Sequence, residues 1–267
     1  MTIALERLRG VLAGHDRVAV AVSGGIDSLT LATAAHRLLG NRATMHHAIS
    51  PAVPGEATRR TRDLAAHEGW TLDVFDAGEF ADPQYRANPV NRCFFCKTNL
   101  YGAVAARTRH AILSGTNLDD LGDYRPGLIA AQDHGVRHPF VAAGIDKATV
   151  RALAAELGLG ALAELPSAPC LSSRIETGLR IEPRVLALVH EVEKFLAAAV
   201  SPRTVRCRIR AGAMVMELDA ATLAGLDATT LATLTGELAA MGRAAGVDLP
   251  VAFAPYRTGS AFLRDAA

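Results

Sequence analysis

One stretch constrains this chain more than any other. Val18-Ala19-Val20-Ala21-Val22 runs directly into Ser23-Gly24-Gly25-Ile26-Asp27-Ser28 and then into the apolar-periodic Leu29–Leu39. A short Val-rich run suits a strand buried on both faces, and the periodic run suits a helix. The two glycines between them let the backbone turn sharply and approach an anion closely. Amides of the loop and of the first helical turn then point at that anion, helped by the positive end of the helix dipole. Ser23 and Ser28 add hydroxyl donors, and Asp27 either orients Mg²⁺ on a polyphosphate or caps the helix. The motif lacks the GK[ST] of a Walker A loop and is not GxGxxG. A lone Ser-Gly-Gly would be no more than a tight turn, but the whole hexapeptide between strand and helix predicts phosphate binding.

The rest of the N-terminal part continues the alternation. Ala43–Ile49, Thr71–Phe75 and His110–Leu113 read as strands, and Glu56–Gly69, Asn99–Arg109 and Lys147–Leu157 as helices. The fold class expected is therefore α/β, a doubly wound, mainly parallel sheet with helices on both faces. After about Pro166 the pattern changes to a helix at Pro183–Ala199, strands at Val205–Arg210 and Met214–Leu218, a helix at Thr229–Ala245 and a last strand at Pro250–Phe253. That predicts a smaller C-terminal α+β domain. The expected division is 1–165 for nucleotide binding, 166–181 for an active-site loop or linker of poor periodicity, and 182–267 for substrate binding and oligomerisation.

A second loop follows the fourth strand: Ser114-Gly115-Thr116-Asn117-Leu118-Asp119-Asp120. Ligands in doubly wound sheets sit at the carboxyl ends of the strands, so Gly115, Thr116 and Asn117 are expected to face Ser23–Ser28. Asp119 and Asp120 are candidates for Mg²⁺ or ribose, or ordinary caps of a helix start. Arg206, Arg208 and Arg210 alternate on one face of a strand. Guanidinium forks suit phosphate oxygens, and the plain alternative is a solvated basic face.

Charge and cysteine usage narrow the partners. The formal net charge is +1, without the cationic excess that nucleic-acid coating requires. Only three of the 28 basic residues are lysine, so an isolated arginine says little here. Four cysteines are too few for a disulfide scaffold in a chain of 267 residues. No signal peptide and no transmembrane run is visible, which predicts a cytoplasmic protein. Cys93-Phe94-Phe95-Cys96 with the distant Cys170 gives three thiolates, a set suited to a 4Fe–4S cluster with one iron open. Alternatively Cys170 acts alone as a nucleophile and the CxxC is structural. Cys207 alternates with Arg206 and Arg208 and reads as a core cysteine.

SGGxDS marks the PP-loop superfamily, whose members cleave ATP between the α and β phosphates. The chain as a whole resembles the LarE-type ATP-dependent sulfur transferases of that superfamily, which make the thiocarboxylate of the nickel-pincer nucleotide. The resemblance rests on SGGIDS at 23–28, NRCFFCKTNLY at 91–101, GTNLDDLGDYRPG at 115–127, AAGIDKATVRALAAELGL at 142–159, PCLSSRI at 169–175, VRCRIR at 205–210 and PYRTGS at 255–260. It implies that Ser23, Gly24, Gly25, Asp27 and Ser28 hold the ATP phosphates, that Cys170 handles sulfur, and that Arg206 and Arg208 bind the phosphate of a pyridinium mononucleotide. It also places Glu193 where the family has a metal-binding glutamate. The family has two chemistries, a sacrificed single cysteine or a 4Fe–4S cluster on three, and this chain carries three. The implied cofactors are ATP, Mg²⁺ and the cluster; the implied partner is a small mononucleotide and not nucleic acid or membrane, in a homo-oligomer. Where the family has Ile-Pro-Tyr-Gly after its Ser-Arg, this chain has Ile175-Glu176-Thr177-Gly178. Thiolation of tRNA or of another carboxylate is the alternative.

Overall fold

The computed structural model describes residues 2–122, 125–165 and 169–262. Part of the GTNLDD…DYRPG run (123–124) and the start of the expected linker (166–168) lie outside them. The elements of the first half are α1 (Ile3–Ala13), β1 (Val18–Ala21), α2 (Ile26–Leu39), β2 (Ala43–Ile49), α3 (Gly55–Glu68), β3 (Thr71–Asp76), α4 (Pro83–Arg86), α5 (Arg92–Arg107), β4 (Ala111–Ser114), α6 (Pro126–Asp133), α7 (Pro139–Ala142) and α8 (Lys147–Glu156). Those of the second half are α9 (Pro183–Val200), β5 (Val205–Ile209), β6 (Met214–Leu218), α10 (Ala220–Ala224), α11 (Ala228–Ala244) and β7 (Val251–Pro255). They form two compact units, residues 1–82 with 91–168 and residues 83–90 with 169–267.

The first unit is built on a four-stranded parallel sheet in the order β3-β2-β1-β4. All of β1 is buried, and its alternation divides the core. Val18 and Val20 pack with Leu8 and Leu12 of α1, the apolar side of α2, and Val150 and Leu153 of α8. Ala19 and Ala21 face the other way, toward Tyr101 and Val104 of α5 and Phe75 of β3. The sheet is thus covered on both faces by helices, as a nearly continuous apolar strand requires. Parallel pairing sets Ala21 beside His46 and beside Ser114, so the segments after β1, β2 and β4 leave one edge of the sheet together.

Helix α5 starts at Arg92, seven residues before the start expected from periodicity. Its first two turns set the adjacent Phe94 and Phe95 among cysteine and polar residues, and only Arg92 there is buried, so no apolar stripe marks them. The CxxC consequently lies on a helix and not in a loop.

The second unit has a mixed three-stranded sheet, β5-β6-β7, with β5 antiparallel to β6 and β6 parallel to β7. Helix α9 buries Leu186, Leu188, Val189, Val192 and Leu196, and it lies against β5. Residues 83–90 join this unit by hydrogen bonds to residues far along the chain. Tyr85 Oη lies 2.7 Å from Ser172 Oγ, and Asn88 Nδ2 donates to the carbonyls of Ile175 and Glu176 at 3.3 and 2.8 Å. Asn88 is fully buried with φ 55°, a left-handed conformation that Asn tolerates better than most residues.

Candidate functional site

The glycine loop between β1 and α2 is closed on itself by serine hydroxyls. Ser28 Oγ donates to Gly25 O at 2.9 Å, accepts from Ser23 N at 3.1 Å, and lies 3.2 Å from Ser23 Oγ. Gly24 has φ +80°, and a Cβ there would come within 2.6 Å of Ala57 O on α3. Only glycine fits that turn. Gly25 is the N-cap of α2 and supplies no side-chain cap, so the opening amides of a 14-residue helix end in this loop without one. An uncapped helix start beside a glycine turn has the donor geometry of an anion site. Asp27 therefore does not cap α2.

The β4 loop meets this one directly. A Cβ on Gly115 would stand 2.8 Å from both Asp27 C and Ser28 N, which fixes Gly115 as the contact point of the two loops. Asn117 Nδ2 donates to Asp27 Oδ1 at 3.2 Å, and Lys147 Nζ at the start of α8 is bound to Asp27 Oδ2. Thr116 Oγ1 lies 3.0 Å from Ser114 Oγ, which is 2.8 Å from His138 Nδ1. Burial holds the His138 imidazole below its ordinary pKa, so it stays neutral near pH 7. Asp119 Oδ2 accepts the Lys147 N–H at 2.9 Å, and Asp120 accepts the Asn117 N–H at 3.1 Å while pairing with Arg125 at 3.0 Å. Both carboxylates thus have partners within the chain. Lys147 lies within the AAGIDKATVRALAAELGL run at 142–159, but no local pattern marks it as a partner of Asp27.

In the second unit, Cys170 is half-buried and stands as N-cap of a single 3₁₀ turn, Leu171–Arg174. Arg174 organises that turn. Its Nη1 donates to the carbonyls of Pro169 and Cys170 at 2.6 and 3.2 Å and to Ser173 Oγ at 3.0 Å. Its Nε and Nη2 grip Glu193 of α9 at 2.9 and 3.0 Å. Glu193 Oε1 also accepts the Cys207 N–H at 3.0 Å. This carboxylate has a two-point arginine partner, which makes it the support of the cysteine turn. Cys207 is fully buried in β5, and burial pushes its thiol far up, so it remains a neutral core side chain.

The arginine face of β5 is not solvated at Arg208. Arg208 and Glu217 are 4% and 2% exposed and paired at 3.0 Å. Arg208 Nη1 also donates to Ser173 O at 2.9 Å. Arg210 reaches the other oxygen of Glu217 at 3.2 Å, and Ser260 Oγ donates to the same oxygen. Arg206 lies over the Tyr256 ring at 5.9 Å. Burial first, and then the positive charge of Arg174, hold the Arg206 guanidinium below its ordinary range. An anion bound there would relieve that strain on the charge.

Two groups implied by the family can be tested against these residues. For Mg²⁺, three of the four candidate carboxylates have a cation of the chain beside them: Asp27 has Lys147, Asp120 has Arg125 and Glu193 has Arg174, while Asp119 accepts a backbone N–H. Asp27 is half-exposed at the glycine loop. For an iron–sulfur cluster, Cys93 and Cys96 are half-buried and three residues apart in the first turns of α5, on one helix face. They suit two thiolate ligands of one cluster. Among the described residues, no group of three His, Cys, Asp or Glu side chains is gathered so as to hold a metal ion. No helix among them is long and apolar enough to cross a membrane.

No family model matches the chain. It is 37% identical over 196 residues to an uncharacterised protein of Synechocystis sp., covering 72% of this chain and 73% of that one. It is 32% identical over 214 residues to the pyridinium-3,5-bisthiocarboxylic acid mononucleotide synthase of Lactiplantibacillus plantarum, covering 78% of this chain and 77% of that one. A shorter match, 30% over 113 residues, links 41% of the chain to 44% of an uncharacterised protein of Methanocaldococcus jannaschii.

Proposed function

Since the chain belongs to the family of the pyridinium-3,5-bisthiocarboxylic acid mononucleotide synthase, we propose that it is an ATP-dependent sulfur transferase acting on a carboxylate of a pyridinium-3,5-dicarboxylate mononucleotide. The observation that carries the ATP-using half is the uncapped start of α2 behind the Gly24–Gly25 turn, with Asn117 and Lys147 at the same edge. In this reading the amides of Gly25, Ile26 and Asp27, with Ser23 and Ser28, take the β and γ phosphates as a PP-loop. Lys147 exchanges Asp27 for phosphate oxygens, and Asp27 is the residue that would hold Mg²⁺. Mg²⁺ supplies neutralisation of phosphate charge. The carboxylate oxygen of the acceptor bonds to the α phosphorus, the α–β bridging bond breaks, and pyrophosphate leaves. A sulfur nucleophile then bonds to the acyl carbon, and the C–O bond to AMP breaks.

Arg206 is assigned to the acceptor's phosphate; burial and the positive charge of Arg174 hold its guanidinium below the ordinary range, and a bound anion would restore it. Arg208 stiffens the site through Glu217 and Ser173. Binding energy taken from that remote phosphate orients the carboxylate. Cys170, presented by the turn that Arg174 holds, is the sulfur-handling residue. Cys93, Cys96 and Cys170 are the ligands proposed for a 4Fe–4S group, which when bound supplies sulfide. In a second reading the Cys170 thiolate itself is the donor.

Incubation of the chain under anaerobic conditions with ATP, Mg²⁺ and the dicarboxylate is expected to yield AMP, pyrophosphate and a product in which one oxygen is exchanged for sulfur. Pyrophosphate without any gain of sulfur would refute the transfer step. Iron and sulfide content of wild type against Cys93→Ala separates the two sulfur routes. Iron bound by wild type and lost in the variant supports the cluster. No iron, together with loss of H₂S from Cys170 in the intact mass after turnover, supports the sacrificed cysteine.

A further inference from the structure

The carbonyl of Gly24 is held by a side chain from a different element. Arg60, on α3, donates from Nη1 to Gly24 O at 2.6 Å. We propose that Arg60 is a positioning residue for the glycine loop, fixing the Gly24–Gly25 peptide in the orientation that presents its amide to an anion. The inference rests on the reading of this loop as a polyphosphate site and adds the residue that shapes it.

In a trans peptide the carbonyl oxygen and the following N–H point to opposite sides. With the Gly24 oxygen fixed toward α3, the Gly25 N–H faces the serines, where its acceptor is Ser23 Oγ at 3.4 Å. That is a long bond, and an anion oxygen would replace it readily. The glycines that permit the turn also permit its reverse, because glycine populates positive and negative φ with similar ease. A flipped Gly24–Gly25 peptide would point a carbonyl dipole at the phosphates. A charge-assisted bond from Arg60 to the carbonyl selects against that state.

The placement of Arg60 follows from α3. Ala57, in the first turn, closes over Gly24, and Arg60 lies three residues later on the same helix face. Its side chain runs along an open groove bordered by Glu56, Arg59 and Asp63, so changing it removes little core packing.

The test uses the full chain and calorimetric binding of Mg²⁺–pyrophosphate, Mg²⁺–ATP and AMP. Arg60→Ala is expected to weaken pyrophosphate and ATP by about tenfold or more, with AMP changed by less than about twofold, since AMP lacks the phosphates this loop takes. The KM for ATP rises by a similar factor while kcat changes little. Arg60→Lys, which keeps a charged donor, recovers most of the loss, and Arg59→Ala behaves as wild type. Unchanged pyrophosphate binding in Arg60→Ala overturns the proposal, as does an equal loss of AMP and pyrophosphate. If Arg60→Ala does not fold, Arg60→Gln takes its place and the same comparison decides. If wild type binds neither ATP nor pyrophosphate, it is the proposed function that fails.

Discussion

Arg208 and Glu217 illustrate what a single pair can decide in the second unit. Both are almost wholly buried, and Glu217 accepts from Arg208, Arg210 and Ser260 at once. Removing one member of a buried pair leaves the other charged and unpaired, which costs more than the pair contributes. Glu217→Ala is therefore expected to lower stability by about 3 kcal/mol, read as a shift in the urea midpoint. Arg208→Met with Glu217→Leu should recover most of that loss; equal destabilisation of single and double variants would show that the pair is not the cause. The arginine stripe was legible from alternation, because a period of two needs only neighbouring residues. Glu217 was not, because it faces the stripe only through the register that sets Arg206 opposite it. The roles of Arg174 and Lys147 are illegible in sequence for the same reason: their partners Glu193 and Asp27 lie 19 and 120 positions away.

At the scale of elements, the strand–loop–helix unit carried its own evidence. The Val-rich strand, the glycine pair and the following helix fall within a few residues of where pattern alone placed them. The expected approach of the β4 loop is also present, because parallel pairing of β1 and β4 brings both carboxyl ends to one edge. Gly115 is the measure of how close that approach is. Gly115→Ala would drive a Cβ into the Asp27–Ser28 peptide, 2.8 Å away, and the loop must retreat. We expect this variant to fold and to bind Mg²⁺–ATP about tenfold more weakly, a loss on the scale of one displaced hydrogen bond to a charged ligand. Binding equal to wild type would mean that the two loops do not act together. The CxxC lies outside every element that pattern places. Its position in the first turns of α5 came only with the fold, since Arg92–Lys97 carries no apolar period.

Across the whole molecule, several histidines share one behaviour. Burial, the leading cause in each case, holds His46, His47 and His138 below the ordinary imidazole value. His47 is fully buried, donating from Nδ1 to Val22 O at 2.8 Å and accepting at Nε2 from Thr58 Oγ1 at 2.9 Å. With a folded pKa below the unfolded one, the unfolded state binds more protons as pH falls. The stability these groups contribute is present above about pH 6.5 and is lost as pH drops through the unfolded value toward the folded one. The melting temperature is expected to fall between about pH 7 and pH 5, with a shallower fall in His47→Gln. An identical slope in that variant would remove His47 from the account. Residues 83–90 also belong to this scale, since they lie in the N-terminal half of the sequence and pack with the C-terminal unit. Their anchors, Tyr85 to Ser172 and Asn88 to Ile175, span 87 positions each.

The sequence by itself determined the parallel α/β core, the glycine loop at a strand's carboxyl end, the arginine stripe and the division of the cysteines into a CxxC, Cys170 and a core Cys207. Each of these is written in short-range order: a periodicity, a dipeptide, a spacing. The tertiary structure decided which charges are spoken for. It gave Asp27 to Lys147, Glu193 to Arg174, Glu217 to Arg208 and the Gly24 carbonyl to Arg60. Charged side chains that leave water must find partners, and those partners are chosen by strand register and helix packing, which join residues that no local pattern relates.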